Sequence, residues 1–210
     1  MADWDDDTPW LRSNLAKVFA RVRDEALRRE PLTIEVARRW QFDLMQGLVP
    51  PDPKLVGRFR GEAGLENYNV KIGDLSGVRA SDISAELAKF DRKLGLAIAE
   101  LDRLIKPGQD LTADDLAAIL SLSAWAHSEW VRIHPFANGN GRTARLQHCD
   151  ALRPAAVSAP SPKAGWRLRA RRCCSDARRP ETHGRSFPPD VHRLAAHLTS
   201  LSKQAKPHLG

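Results

Sequence analysis

Residues 134–145 run His134-Pro-Phe-Ala-Asn-Gly-Asn-Gly-Arg-Thr-Ala-Arg145, a dozen positions that constrain what the rest of the chain must build. Pro135 and the two glycines interrupt regular helix, so a loop is expected here. Gly139-Asn-Gly141 lets backbone N–H groups approach a ligand closely. Arg142-Thr-Ala-Arg145-Leu146 has the pattern of a first helical turn. A glycine loop feeding a helix N-terminus is an anion site, because N–H groups without intrahelical partners and the helix dipole face the ligand together. Arg142 and Arg145 lie three residues apart, hence on one helix face. Two guanidinium forks above such a nest suit a polyphosphate. His134, at the helix–loop junction, is placed to take a proton from a hydroxyl as general base. A Walker-type phosphate loop is a poor alternative, since a helix precedes the loop and no Gly-Lys-Ser/Thr follows.

Upstream, the chain reads as successive amphipathic helices. The one entering the loop opens at Thr112-Ala-Asp-Asp115, a capping-box pattern. Its inner face is expected to carry Leu116, Ile119, Leu120, Ala124, His127 and Val131, with Trp125 and Trp130 as packing residues. Before it comes the longest helix, with Ile83, Leu87, Phe90, Leu94, Ile98, Leu101 and Ile105 on one stripe, ending at Lys106-Pro107-Gly108. Glycines punctuate Leu55 to Val78, where Tyr68, Val70 and Ile72 alternate with Asn69 and Lys71. That pattern predicts a short strand, one arm of a hairpin closing near Gly73-Asp74. Thr8-Pro9 opens a first helix with Leu11, Leu15, Val18, Phe19 and Val22 inside, up to about Arg29. Thr33 caps a second, with Ile34, Ala37, Trp40 and Leu44 inward, before Pro50-Pro51-Asp52-Pro53 excludes helix. The expected fold class is mainly α with a small β-hairpin.

At 210 residues the chain fits one domain, or a domain plus an extra segment. Its net charge of +7 divides unevenly. Residues 1–146 hold 21 Lys+Arg against 22 Asp+Glu, net −1, and residues 147–210 hold 12 against 4, net +8. The basic excess belongs to the tail, so a nucleic-acid partner is not expected of the body. No run approaches the roughly 20 apolar residues that span a bilayer, so no membrane partner is expected. The acidic start, Met-Ala-Asp-Trp-Asp-Asp-Asp, is the opposite of a secretory leader, and a cytoplasmic location is expected. Cys149, Cys173 and Cys174 have no zinc-site spacing and read as free thiols.

The dodecapeptide resembles the signature of the Fic family, H-x-F-x-[D/E]-G-N-G-R-x-x-R, and matches every fixed position but one. Ala124-Trp-Ala-His-Ser-Glu-Trp-Val-Arg-Ile133 is similar to the helix that leads into that motif, and Gly57-Arg-Phe-Arg60 resembles the segment ahead of the family's flap hairpin. The resemblance covers roughly residues 8–146. It implies a Fic-type helical bundle, with a core over residues 1–146, a flap at about 55–78 and the motif loop at 134–145. It implies an enzyme moving AMP from ATP to a Ser, Thr or Tyr hydroxyl of a target protein. His134 would be the catalytic base and Phe136 the anchor of the loop. Gly139, Asn140 and Gly141 would form the anion hole, with Arg142 and Arg145 on the outer phosphates. Tyr68, Asn69, Val70, Lys71 and Ile72 would belong to the flap, pairing with an extended target segment by β-addition. Related proteins move UMP, phosphocholine or phosphate, and Gly139-Asn-Gly141 favours the AMP-transferring branch. The family's self-inhibitory [S/T]-x-x-x-E-[G/N] helix has no match, which leaves regulation to a separate antitoxin or regulatory protein.

The one departure is Asn138, where the family carries Asp or Glu to hold Mg²⁺. An amide oxygen can coordinate but lacks the charge that Mg²⁺ prefers. Weakened metal binding is therefore expected, with the nucleotide site retained. Asn138 also supports the alternative of a catalytically impaired remnant or interaction module on the same fold.

After about Leu146 the pattern changes. Seven of the 14 prolines lie in the last 64 residues, beside the Arg-rich stretch Arg167 to Arg172. Residues 147–210 are expected to be either a basic, disordered extension or the product of a frameshift near 146–149. In a reading frame one base forward, Cys149 onward can encode A-M-R-Y-G-L-P-P-F-L-R, which resembles the continuation of the helix in Fic proteins. The coding DNA distinguishes the two.

Overall fold

A computed structural model describes residues 8–73 and 75–151. Five α-helices carry the fold: α1 (Pro9–Leu27), α2 (Ile34–Leu44), α3 (Ile83–Leu104), α4 (Ala113–Ile133) and α5 (Asn140–Ala151). Between α2 and α3 lie two 3₁₀ turns, Pro53–Leu55 and Ala80–Asp82, and a two-stranded antiparallel hairpin, β1 (Lys71–Ile72) and β2 (Leu75–Ser76). Residues 152–210, which hold the proposed tail or frameshift product, fall outside the described part of the chain, whereas residues 147–151 continue α5.

The helix starts follow from their caps. Thr8 Oγ1 accepts from Leu11 N at 3.1 Å ahead of Pro9, and Thr33 Oγ1 accepts from Val36 N at 3.3 Å. At α4 the capping box closes in both directions, with Asp115 N donating to Thr112 Oγ1 at 3.1 Å and Thr112 N donating to Asp115 Oδ2 at 3.0 Å. Each such cap satisfies donors that the helix itself cannot, typically worth about 1 kcal/mol.

α5 packs against α4, α1 and α2, so the element that opens at the glycine loop is gripped on three sides. The α3 stripe is buried as the periodicity requires, from Ile83 through Leu94 to Ile105. It meets an aromatic cluster in which Phe90 lies 5.5 Å from Trp130, Trp130 5.9 Å from Phe136, and Phe136 4.9 Å from Phe59. Fully burying a side chain of this kind contributes roughly 1.5–3 kcal/mol. The cluster therefore ties α3, α4, the motif loop and the pre-flap segment into one body.

Three expectations are corrected. The buried face of α4 is Ile119, Leu122, Ser123, Ala126, Trp130 and Ile133, not the stripe through Leu116, Leu120, Ala124 and Val131. Both stripes are apolar in sequence, and the one that wins carries the tryptophan that packs with Phe90 and Phe136. Leu116 and Leu120 stay 43% and 47% exposed, and His127 is half-buried, edge-on to His148. On α1, Leu15 and Phe19 face outward and line an apolar groove with Ala16, Leu146 and Cys149. The inner face instead buries Asn14, whose Nδ2 donates to the carbonyls of Leu44 and Gln46, and Glu25, which accepts from Arg39 and from Trp40 Nε1. The strand expected over Tyr68 to Ile72 is only Lys71–Ile72 long, in register Lys71↔Ser76 and Ile72↔Leu75. Tyr68 and Asn69 are diverted to other bonds: the Tyr68 carbonyl accepts from Arg60, and Asn69 Oδ1 accepts from Ala80 N at 3.0 Å.

Among the described residues no helix is long and apolar enough to cross a membrane.

Candidate active site

α4 ends at His134, which adopts the left-handed conformation (φ 53°, ψ 57°) as the helix cap and donates its N–H to Trp130 O at 2.9 Å. A non-glycine residue in this region costs energy that the surroundings must offset, and such residues cluster at functional sites. The turn it makes throws the chain out of the helix and into the loop. His134 Nδ1 lies 3.2 Å from Val131 O. Only a donor satisfies a carbonyl, so Nδ1 carries the proton and Nε2 keeps its lone pair.

Phe136 is fully buried. Asn140 closes the loop around it: Phe136 N donates to Asn140 Oδ1 at 2.9 Å, and Asn140 Nδ2 donates back to Phe136 O at 2.8 Å. Asn140 was expected in the anion hole; its side chain is spent on this brace, and it faces the cleft through its backbone. Thr143 fixes the start of α5, its N–H donating to Gly139 O at 2.9 Å while its hydroxyl accepts from Trp130 Nε1 at 2.9 Å. Gly139 has φ +86°, which disfavours any residue with a Cβ, and a Cβ there would also have to displace the Met45 methyl, 2.8 Å away. Gln41, fully buried on α2, holds the loop from behind, donating to Asn138 O and accepting from Gly57 N.

These constraints shape a cleft of about 500 Å³ lined by Pro51, Tyr68, His134 and residues 137–142 and 145. Of the residues expected at the site, it gathers His134, Asn138, Gly139, Asn140, Gly141, Arg142, Arg145 and Tyr68. Phe136 is behind it, and Asn69 to Ile72 do not line it. No carboxylate is among the lining residues, while two arginines are. Asn138 Oδ1 accepts from Arg142 Nη2 at 2.9 Å and from Gly139 N–H. Among the described residues no three His, Cys, Asp or Glu side chains are grouped to hold a metal ion.

Arg60, like Gln41, is a residue of the site that sequence patterning missed. It is 1% exposed, and its guanidinium donates to three carbonyls: His134 O at 2.7 Å, Ile133 O at 3.0 Å and Tyr68 O at 3.2 Å. Its own N–H donates to Pro135 O at 2.8 Å. No carboxylate pairs with it among the described residues, and burial pulls its pKa below the ordinary guanidinium value. Arg60 therefore clamps the end of α4, the loop and the flap base together. The only sequence hint was its place in Gly57-Arg-Phe-Arg60.

Burial, with Arg60's charge as a smaller addition, lowers the His134 pKa, and the Val131 bond opposes this. The neutral imidazole is the basic form, so a lowered pKa keeps it available at more acidic pH. An NMR titration of the His134 ring is expected to show a midpoint below the ordinary value of about 6.5; a midpoint at or above it would mean that the Val131 bond outweighs burial, or that the ring is solvated.

No curated protein matches the chain. A solved structure, a Fic domain-containing signalling protein from Bacteroides thetaiotaomicron VPI-5482, aligns at a TM-score of 0.50 and 22% identity, covering 69% of this chain and 48% of that one. The chain thus spans about half the length of that protein, and the likeness bears on the fold alone. The sequence profile of the Fic/DOC family matches residues 31–149, a span that runs from the start of α2 through the clamp, the hairpin and the loop to α5. The chain belongs to the Fic/DOC family.

Proposed function

We propose that this chain is a protein AMP-transferase acting in the cytoplasm, with ATP as co-substrate. The observation that carries this is the meeting, in one cleft, of an imidazole whose Nδ1 is committed to Val131, a glycine-opened helix N-terminus, and Arg142 with Arg145. A hydroxyl of the target protein attacks the α-phosphorus of ATP. The new bond joins that oxygen to phosphorus, the bond to the bridging oxygen breaks, and pyrophosphate leaves with its electron pair. The hydroxyl proton passes to His134 Nε2. The α5 amides and the two guanidinium groups bind the negative phosphates and stabilise the charge that builds on the leaving group. Among the described residues no third strand joins β1 and β2, and an extended target segment docks there as a further strand.

Incubation with ATP labelled at the α-phosphate and a cell lysate is expected to label protein, whereas γ-phosphate label is expected to appear in pyrophosphate. The rival reading is a non-catalytic interaction module. Nucleotide binding without transfer of label to any protein would favour it.

A further inference from the structure

The motif position that carries an acid in the Fic signature is Asn138 here, and the structure bears on what the exchange does. Both groups at Asn138 Oδ1, Arg142 Nη2 at 2.9 Å and Gly139 N–H, are donors. They fix the orientation of the amide, because its NH₂ end cannot accept a hydrogen bond. Oδ1 is thus turned to the guanidinium, and Nδ2 makes no hydrogen bond among the described residues. A divalent cation at Oδ1 would find a neutral ligand already shared with a cation. No carboxylate in the cleft compensates. Mg²⁺ prefers compact, charged oxygen ligands, gives up its water reluctantly and is ordinarily held by one or two carboxylates beside substrate phosphates, so the donor set does not fit it.

A carboxylate at this position could only accept, and the amide also donates. We propose that the cleft takes the nucleotide's diphosphate as a metal-free anion, with Asn138 Nδ2 donating to a phosphate oxygen. The cation's charge is replaced by the two guanidinium groups and the α5 amides. This rests on the reading of the cleft as a nucleotide-phosphate site, and it changes the substrate from the Mg²⁺ complex to the free nucleotide.

Calorimetric titration of the full chain with ADP, once in EDTA and once in excess Mg²⁺, tests it. Wild-type affinity is expected to agree within about twofold or to be higher in EDTA, since Mg²⁺ would have to be stripped from the ligand. Asn138→Asp, nearly isosteric, is expected to lose about tenfold in EDTA, a single charge-assisted bond exchanged for repulsion, and to recover in Mg²⁺. Mn²⁺ spin resonance gives a readout independent of affinity. Wild type with ADP should immobilise no more Mn²⁺ than ADP alone, and Asn138→Asp with ADP should immobilise more. Wild-type binding that strengthens tenfold on adding Mg²⁺ would overturn the proposal while leaving the nucleotide site standing. Absence of ADP binding in both conditions would overturn the nucleotide reading, and the proposal with it.

Discussion

His134→Ala is expected to lower AMP transfer by about 10²–10⁴-fold, the usual contribution of a positioned general base, while ADP affinity changes by less than threefold. The two effects separate because the residues divide the work. The groups proposed to bind phosphate belong to the loop and α5, whereas His134 lines the same cleft from the end of α4. Its backbone, the part that caps α4, is also provided by alanine, although the left-handed φ of 53° disfavours any residue with a Cβ. His134→Asn is the better-tolerated companion, since Asn enters that region more readily than Ala. Both variants remove the base. Transfer rates of the two should therefore fall together, whatever their melting temperatures do. Retention of more than a tenth of wild-type transfer in either would mean that another group accepts the proton.

The largest effect on stability is expected at Gly61, next to the clamp. Its φ is +87°, and a Cβ there would stand 2.1 Å from the Ala80 carbonyl oxygen. The obstacle is backbone, which cannot rotate away as a side-chain tip can. Gly61 N–H also donates to Leu65 O at 2.9 Å, which holds the turn from the other side. Left-handed strain alone costs roughly 1–3 kcal/mol, and displacing the backbone adds to it. For a domain of ordinary stability, about 5–15 kcal/mol, a total of about 4 kcal/mol or more leaves little margin. Gly108→Ala is the control, with φ +77° but nothing within 4 Å of the added carbon. Urea denaturation should show Gly61→Ala well below Gly108→Ala. Equal losses would assign the whole effect to φ and none to the contact.

How far the sequence could be read depended on the range of the interactions. The α3 stripe was legible in full because one apolar face stands against polar neighbours. α4 was not, since Leu116 and Leu120 compete with Leu122 and Trp130 and only tertiary partners decide between them. α1 misled for the reverse reason. Asn14 and Glu25 are buried through bonds to residues up to 32 positions away, and no periodicity announces a buried polar side chain. The candidate site was largely readable because its loop, helix start and arginines are contiguous. What was not readable is what holds them: the Val131 carbonyl that sets the imidazole tautomer, Gln41 behind the loop, and Arg60. Asn140 shows the limit from inside the motif, since its pattern placed it at the site but could not say that its side chain braces Phe136.

The Arg60 clamp also bears on how the protein comes to be competent. Its guanidinium reaches carbonyls 73 and 74 residues further along the chain, and the Gln41 bond to Asn138 O spans 97. Closing a loop of 74 residues costs roughly 4 kcal/mol of chain entropy, and contacts of that range form slowly compared with helices. The helices can therefore exist before the base is aligned, and local opening of the flap segment can undo the alignment without melting them. Competence of this site is therefore expected to arrive late in folding and to be lost early in unfolding.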